Sequence, residues 1–355
     1  MKIMNWDKFQ QQAFNLTEKE IAALEKEVIA IYETAKKEMN QQIKDVYAKV
    51  LSTVGTQDYY NQMIKYDRLT NLLNSIEAQY IAASKAVSKI TQNSVKIGIS
   101  NIYYRKLYAA KWLAPEITVG ILPEKLIQLA TYSTASAWKD ITAAIEKIYG
   151  NKMAYPSKAG TILDLIYRNQ IAELDKIRSA ITQGLITGKS YRQMIDSIYS
   201  VIGVKSVEDG VLSVSGAMYN SLRIIRTESG RAMSAGAYAS TKYAESQGLN
   251  IKKQWSSTLD MRTRPEHTAL DGTRIKVDEY FRIGNDFALY PRGFTQAKNT
   301  INCRCAYLDI IDDKEPSLRI GRNPVTGENE YFDYKSFDQW AKDNGIKKNK
   351  FGQYY

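Results

Sequence analysis

The chain has 355 residues, 44% of them hydrophobic and 25% charged, a balance that excludes wholesale disorder and fibrous architectures and leaves ample length for two or three domains. Its longest charge-free stretch, Leu126 to Trp138, spans 13 residues and includes several Thr and Ser. That is short of the roughly 20 apolar residues a bilayer helix needs, so no membrane span is expected. Asp7 and Lys8 near the start argue against a secretory signal, and synthesis in a cytosol is expected.

Lys and Arg number 49 against 38 acidic residues, a net charge of +11 that points towards a polyanionic partner. Residues 211–310 hold 14 basic and 9 acidic side chains, whereas residues 311–355 hold 8 of each. Between Glu77 and Glu116 there is no acidic residue. Lys85, Lys89, Lys96, Arg105, Lys106 and Lys111 fall there, interleaved with Tyr80, Tyr103, Tyr104, Tyr108 and Trp112. Cations that release counterions beside rings that stack make this a candidate non-specific contact for double-stranded DNA. A solvated helix face with aromatics buried behind it is the alternative.

In chain order, Thr17-Glu18-Lys19-Glu20 matches a capping box and predicts a long helix from there. Its apolar stripe runs through Ile21, Leu24, Val28, Ile31, Ala35, Met39, Ile43, Val46 and Val50, and Gly55 stops it. A second helix is expected from about Asp58, with Met63, Leu69, Leu72, Leu73, Ile76 and Tyr80 on its apolar face, making a helical hairpin. Further helices are expected around 124–149, ended by Gly150, around 161–183, ended by Gly184, and over 190–202. Ala217 to Gln247 reads as a helix whose small face, Ala232, Ala235, Gly236 and Ala239, allows close approach of a neighbour. Beyond Gly248 the pattern shortens. Ile251 to Leu259 and Thr273 to Val277 read as strands with a turn at Asp271-Gly272, so 250–310 is expected to be a small antiparallel sheet with short helical insertions. A turn at Pro324 to Gly327 and a short helix from Ser336 to about Asn344 follow, with Lys347, Lys348 and Lys350 solvated at the end.

Both cysteines and the one histidine of the chain lie within 39 residues. In an extended segment Cys303 and Cys305 point to one face, so both thiolates could reach one zinc ion with His267 as third ligand and Asp260, Asp271 or water as fourth. Two small buried thiols beside a hydrogen-bonded histidine is the other reading, and on it no cofactor is needed.

Arg226-Thr227-Glu228, Trp255, Asp260-x-Arg262-Thr263-Arg264, His267-x-x-Leu270-Asp271-Gly272, Tyr290-Pro291 and Asn302-Cys303-Arg304-Cys305 resemble, in order and spacing, the phage Mu protein F-like family of minor head proteins. The resemblance covers roughly 220–310. It implies a virion protein of a tailed bacteriophage, made in the host cytoplasm and held inside the capsid near the portal. Its implied partners are the portal protein, a capsid or scaffolding protein, and packaged DNA. Many relatives have Cys where His267 stands and His near Thr300, and some carry long toxin domains at the carboxy terminus, for which the residues after Ile310 are too few.

The whole reads as an α+β protein: a helical region contacting portal and DNA over 1–210, a Mu F-like head-morphogenesis domain over 211–310, and a docking tail over 311–355. The role expected is structural and non-catalytic. The rival classes are a metal-dependent nuclease or hydrolase, in which His267 and Asp260 hold an ion and Glu266 or Asp271 activates water, and a host nucleic-acid-binding protein. Tyr supplies 25 of the aromatic residues, which fits either partner surfaces or a core that uses Tyr for Phe.

Overall fold

A computed structural model describes residues 6–51, 67–132, 144–145, 147–148, 162–187, 189–208, 211–322, 329–343 and 345–347. The predicted helix boundaries at Gly55, Asp58 and Gly150, the turn at Pro324 to Gly327, and Lys348 and Lys350 lie outside them. As the sequence predicts, the fold is α+β: long helices in the amino-terminal region, followed by a small domain of short antiparallel sheets.

Two helices of 46 residues each, α1 (Trp6–Leu51) and α2 (Arg68–Leu113), precede α3 (Glu124–Tyr132), α4 (Ile162–Ile186) and α5 (Tyr191–Ile202). The hairpin β1 (Lys205–Glu208) and β2 (Val211–Val214) leads into α6 (Gly216–Ser246). Then come β3 (Ile251–Ser256), α7 (Pro265–Ala269), β4 (Arg274–Lys276), β5 (Phe281–Ile283), β6 (Asp286–Ala288), α8 (Ala297–Thr300) and β7 (Ala306–Ile311). The hairpin β8 (Leu318–Arg322) and β9 (Asn329–Asp333) and helix α9 (Phe337–Asp343) follow. No described helix is long and apolar enough to cross a membrane.

Helix α1 starts eleven residues before the predicted cap at Thr17. Thr17 is buried in mid-helix, its hydroxyl donating to the Ala13 carbonyl at 2.8 Å and accepting from Arg105 at 2.7 Å. The same Ser/Thr-x-x-Glu/Gln pattern does cap α5, where Ser190 and Gln193 satisfy each other's backbone N–H groups. A capping box thus reads as a start only where no helical residues precede it.

The chain divides into two interleaved compact units, 1–22, 93–160 and 225–355 in one and 23–92 and 161–224 in the other. In the second unit Val28, Met39, Ile43, Ile76, Val87, Ile181, Ile198 and Ile202 are all but fully buried. Tyr32 and Tyr80 lie in the same core, their rings 6.3 Å apart, with the Tyr32 hydroxyl 2.8 Å from that of Ser221. Tyr80 donates to Glu173, whose other oxygen accepts from Asn220 at 3.1 Å. No Lys or Arg of the described residues lies within ion-pair distance of this buried carboxylate.

In the first unit the small face of α6 meets α2. A Cβ on Gly236 would stand 2.2 Å from the Ile99 carbonyl oxygen, and one on Gly98 2.9 Å from that of Ser229, so neither position has room for a side chain. The central sheet runs β4-β3-β7, all antiparallel, with Lys253 opposite Ile275 on one side and Asp309 on the other. The Asp-Gly turn forms as predicted, Gly272 taking φ +77, with α7 inserted ahead of it.

The segment after Ile310, expected to be a docking tail, is integrated into this unit. The Asp7 carboxylate accepts from the backbone N–H groups of Ser317 and Leu318, and Gln11 accepts from the N–H of Ile320. Phe337, Trp340 and Ala341 pack on Leu259 in a common core.

Burial raises the Glu173 carboxyl above its ordinary value, against the lowering effect of the Tyr80 and Asn220 donors. Because the folded state favours the protonated form, that contribution to stability is present at acid pH and lost as pH rises through the native value. Glu173→Gln is therefore expected to melt about 2–4 °C above the parent at pH 8, the gap closing towards pH 4. Equal melting curves at pH 8 would contradict the assignment.

Candidate functional site

Within the first unit, β3 and the turn beyond it fix one ligand-capable side chain and the approach to β7 fixes two more. Trp255, at the end of β3, is fully buried and donates through Nε1 to the Ser257 hydroxyl at 3.0 Å. That hydroxyl donates to the His267 carbonyl at 2.6 Å, anchoring α7. Pro265 opens α7, where its missing N–H costs nothing, and two residues later His267 lies edge-on to Trp255 with ring centroids 5.7 Å apart. On the other side Asn302 takes φ +55 and turns the chain out of α8, so that Cys303 and Cys305 enter the core with Arg304 between them half exposed. Trp255, Phe281, Ala288 and Phe294 surround the thiols.

His267 Nδ1 lies 3.5 Å from Cys303 Sγ and 3.5 Å from Cys305 Sγ. Among the described residues this is the His/Cys/Asp/Glu group whose ligand atoms all fall within 4.8 Å of one another, and all three members are buried. A tetrahedral zinc site with Zn–N of about 2.05 Å and Zn–S of about 2.3 Å has N···S edges of roughly 3.5 Å, so the observed spacing fits such an ion. The ring's remaining nitrogen, Nε2, is buried without a hydrogen-bond partner.

Electrostatics favour a thiolate here. A hydrogen bond from Cys305 holds Cys303 well below the ordinary thiol range, with further lowering from His267 and from the Arg292 charge. The same hydrogen bond and burial push Cys305 up, while the Thr258 backbone N–H and Arg292 pull it back. Arg292, at φ +69 and buried, donates to the Gly230 carbonyl at 3.0 Å and to Glu18 at 3.1 Å. Sequence reading did not single out Arg292. Its one signal is Gly230 on α6, where a Cβ would come within 3.0 Å of the guanidinium. Asp286 was also missed. Its carboxylate accepts from Thr295 N, Thr295 Oγ1, Gln296 N and Asn299 Nδ2, holding the loop that carries α8. Burial opposes ionisation of Asp286 and those four donors outweigh it, keeping the carboxyl below its ordinary value.

Asp260 is not a ligand of this cluster. It takes a two-pronged contact from Arg304, one prong at 2.7 Å, and accepts from the Arg262 N–H at 3.0 Å. Burial would raise its carboxyl, but Arg304 and Arg262 bring it below the ordinary range. Asp271 is equally engaged, buried against Arg319 at 2.5 Å and 2.7 Å and accepting from Ser257 N and Phe337 N. Glu266 is exposed. Of the carboxylates that a metal-dependent hydrolase would use beside His267, Asp260 and Asp271 are thus already engaged by arginines.

The other family-motif residues are structural or surface positions. Glu228 is buried against Arg231 at 2.8 Å, Gly272 makes the turn, and Arg226 is exposed. Of the six cations between Glu77 and Glu116, Lys85, Lys89 and Lys96 are exposed on α2. Lys106 departs from the expectation of a phosphate contact. It is fully buried, paired with Asp309 at 2.9 Å and seated 4.0 Å over the Tyr307 ring, and burial lowers its ammonium's pKa. Arg105 pairs with Glu20 at 2.6 Å, and Lys111 donates to the Ile117 carbonyl at 2.7 Å. Tyr80 and Tyr103 are buried, whereas Tyr104, Tyr108 and Trp112 are exposed.

A long helical region leading into a module with a buried Cys–His cluster is the class of protein this geometry defines. Residues 175–308 match the family described as Phage Mu protein F like protein. The chain is 27% identical over 323 residues to the minor head protein GP7 of Bacillus phage SPP1, covering 91% of this chain and 93% of that protein. It is 33% identical over 184 residues to an NAD(+)–arginine ADP-ribosyltransferase, EFV, of Enterococcus faecalis, covering 52% of this chain but 34% of that enzyme. A Haemophilus influenzae protein of uncharacterized function is 24% identical over 171 residues, 31% of its length. The chain thus spans about a third of the latter two. No solved structure matches it.

Breaking the buried Arg319–Asp271 pair from one side strands a carboxylate in the core. Arg319→Ala is expected to lower stability to denaturant by about 3–5 kcal/mol. A loss under about 1 kcal/mol, the range of an exposed pair, would show that Arg319 is not the anchor argued here.

Proposed function

We propose that the protein is a minor head protein of a tailed bacteriophage, a structural component acting in head morphogenesis without catalysis. The observation that carries this is the near end-to-end similarity to the SPP1 minor head protein, 91% of one chain against 93% of the other. The match of residues 175–308 to the Mu F-like family agrees with it. Association with the portal protein and with a capsid or scaffolding protein, a place inside the head near the portal, and non-specific contact with packaged DNA belong to this reading. The exposed Lys85, Lys89 and Lys96 are its candidate phosphate contacts. In gradient-purified heads of the encoding phage, mass spectrometry is expected to find the chain at few copies beside the portal protein. Heads that lack it, or arginine-dependent turnover of NAD by the purified chain, would overturn the proposal.

Zinc held by His267, Cys303 and Cys305 belongs to the same reading, as a structural staple. When bound, the ion would neutralise the thiolates and cross-link α7 to the segment entering β7. Protein purified under reducing conditions is expected to carry about one zinc per chain, and Cys303→Ser and Cys305→Ser to lose it. Metal content indistinguishable between the parent and both variants would reject the staple.

A further inference from the structure

The outward side of the Cys-Arg-Cys segment carries a second feature, which the cluster itself does not use. Cys303 and Cys305 are buried, and the side chain between them, Arg304, remains 30% exposed. Arg304 shares Asp260 with Arg262, whose side chain is 65% exposed. Two residues on, Arg264 donates to the Ile301 carbonyl at 2.6 Å, one turn from the exposed Lys298 on α8. The next residue, Asn302, donates its backbone N–H to Thr227 Oγ1 at 3.3 Å, and Thr227 is preceded on α6 by the exposed Arg226. Acids near these cations include Asp260, already shared by two arginines, Glu18, engaged with Arg292, and the exposed Glu266.

We infer that Arg226, Arg262, Arg264, Lys298 and Arg304 form a binding surface for the phosphate backbone of double-stranded DNA. Four of the five are arginines, whose planar forks grip phosphate oxygens two at a time. Arg264 and Arg304 are held in place by a carbonyl and a carboxylate, so little side-chain freedom is lost on binding. Arg262, Arg264 and Arg304 lie outside helices and strands, so the contact is one to the backbone and independent of sequence. The inference rests on the head-protein reading for its partner, but assigns the contact to this face and not to α2.

Binding of the full-length protein to a 30-base-pair duplex, measured by fluorescence anisotropy across a salt series, tests it. The triple variant Arg226→Gln, Arg262→Gln, Lys298→Gln is expected to flatten the slope of log K against log salt by about 2–3, since each phosphate contact contributes about 0.9. Should that variant melt lower than the parent, the single Arg262→Gln serves, with an expected flattening of about 0.9. An unchanged slope in these variants, together with a flattened one in Lys85→Gln, Lys89→Gln, would overturn this surface while leaving DNA contact by the protein intact. Absence of any duplex binding at low salt would overturn both. Displacement of the duplex by polyglutamate of equal charge would also overturn it, and mark the face as a seat for an acidic protein.

Discussion

The Asp271 carboxylate takes the Arg319 guanidinium and the backbone N–H groups of Ser257 and Phe337, all inside the core. Arg319 also donates to the carbonyls of Ser257 and Lys335. Through that knot the carboxy-terminal hairpin and α9 are tied to the Asp-Gly turn. Ser257 then passes the constraint to His267 by accepting from Trp255 and donating to the His267 carbonyl. The position of the imidazole over the thiols is therefore set by an ion pair whose arginine lies 48 residues further along the chain than its aspartate. A charge buried this deeply is tolerable because each oxygen is matched by a donor, and removing one partner costs more than the pair ever contributes.

A second buried pair does comparable work at the other side of the sheet. Lys106 meets Asp309, and Asp309 also accepts from the Thr241 hydroxyl at 2.8 Å, while Gln10 exchanges hydrogen bonds with the Asp309 backbone. Three stretches of chain converge on one strand position. The close approach of α2 and α6 at Gly98 and Gly236 makes this geometry available, since any side chain there would hold the helices apart. Cations that look alike in sequence thus divide into those buried in ion pairs that build the protein, such as Lys106 and Arg319, and those exposed at the surface, such as Lys85.

The Cys-Arg-Cys segment shows the same division within three residues. Alternation of an extended backbone sends two thiols inward to the imidazole and the guanidinium outward to Asp260. Whatever stiffens the inner face also stiffens the outer one. A small module can in this way present an ordered cationic surface without a large core beneath it.

Much of this was legible in the amino-acid sequence. Periodicity located the helices near 190–202 and 217–247, the Asp-Gly pair located a turn, and the small face of α6 announced a close neighbour, because each depends on residues within a few turns of one another. The order of motifs from Arg226 to Cys305 carried the resemblance to the family whose model matches 175–308, and the spacing of Cys303 and Cys305 brought both thiols to one face. Sequence could not tell that Thr17 sits in mid-helix, that Asp260 belongs to arginines and not to a metal, that Lys106 is buried, or that the segment after Ile310 closes onto the amino terminus. Those outcomes turn on partners dozens to hundreds of residues away, such as Asp7 with Ser317 and Lys106 with Asp309. A charged side chain carries no local mark of whether the folded chain will hand it a counter-ion or water, and only the tertiary structure decides that.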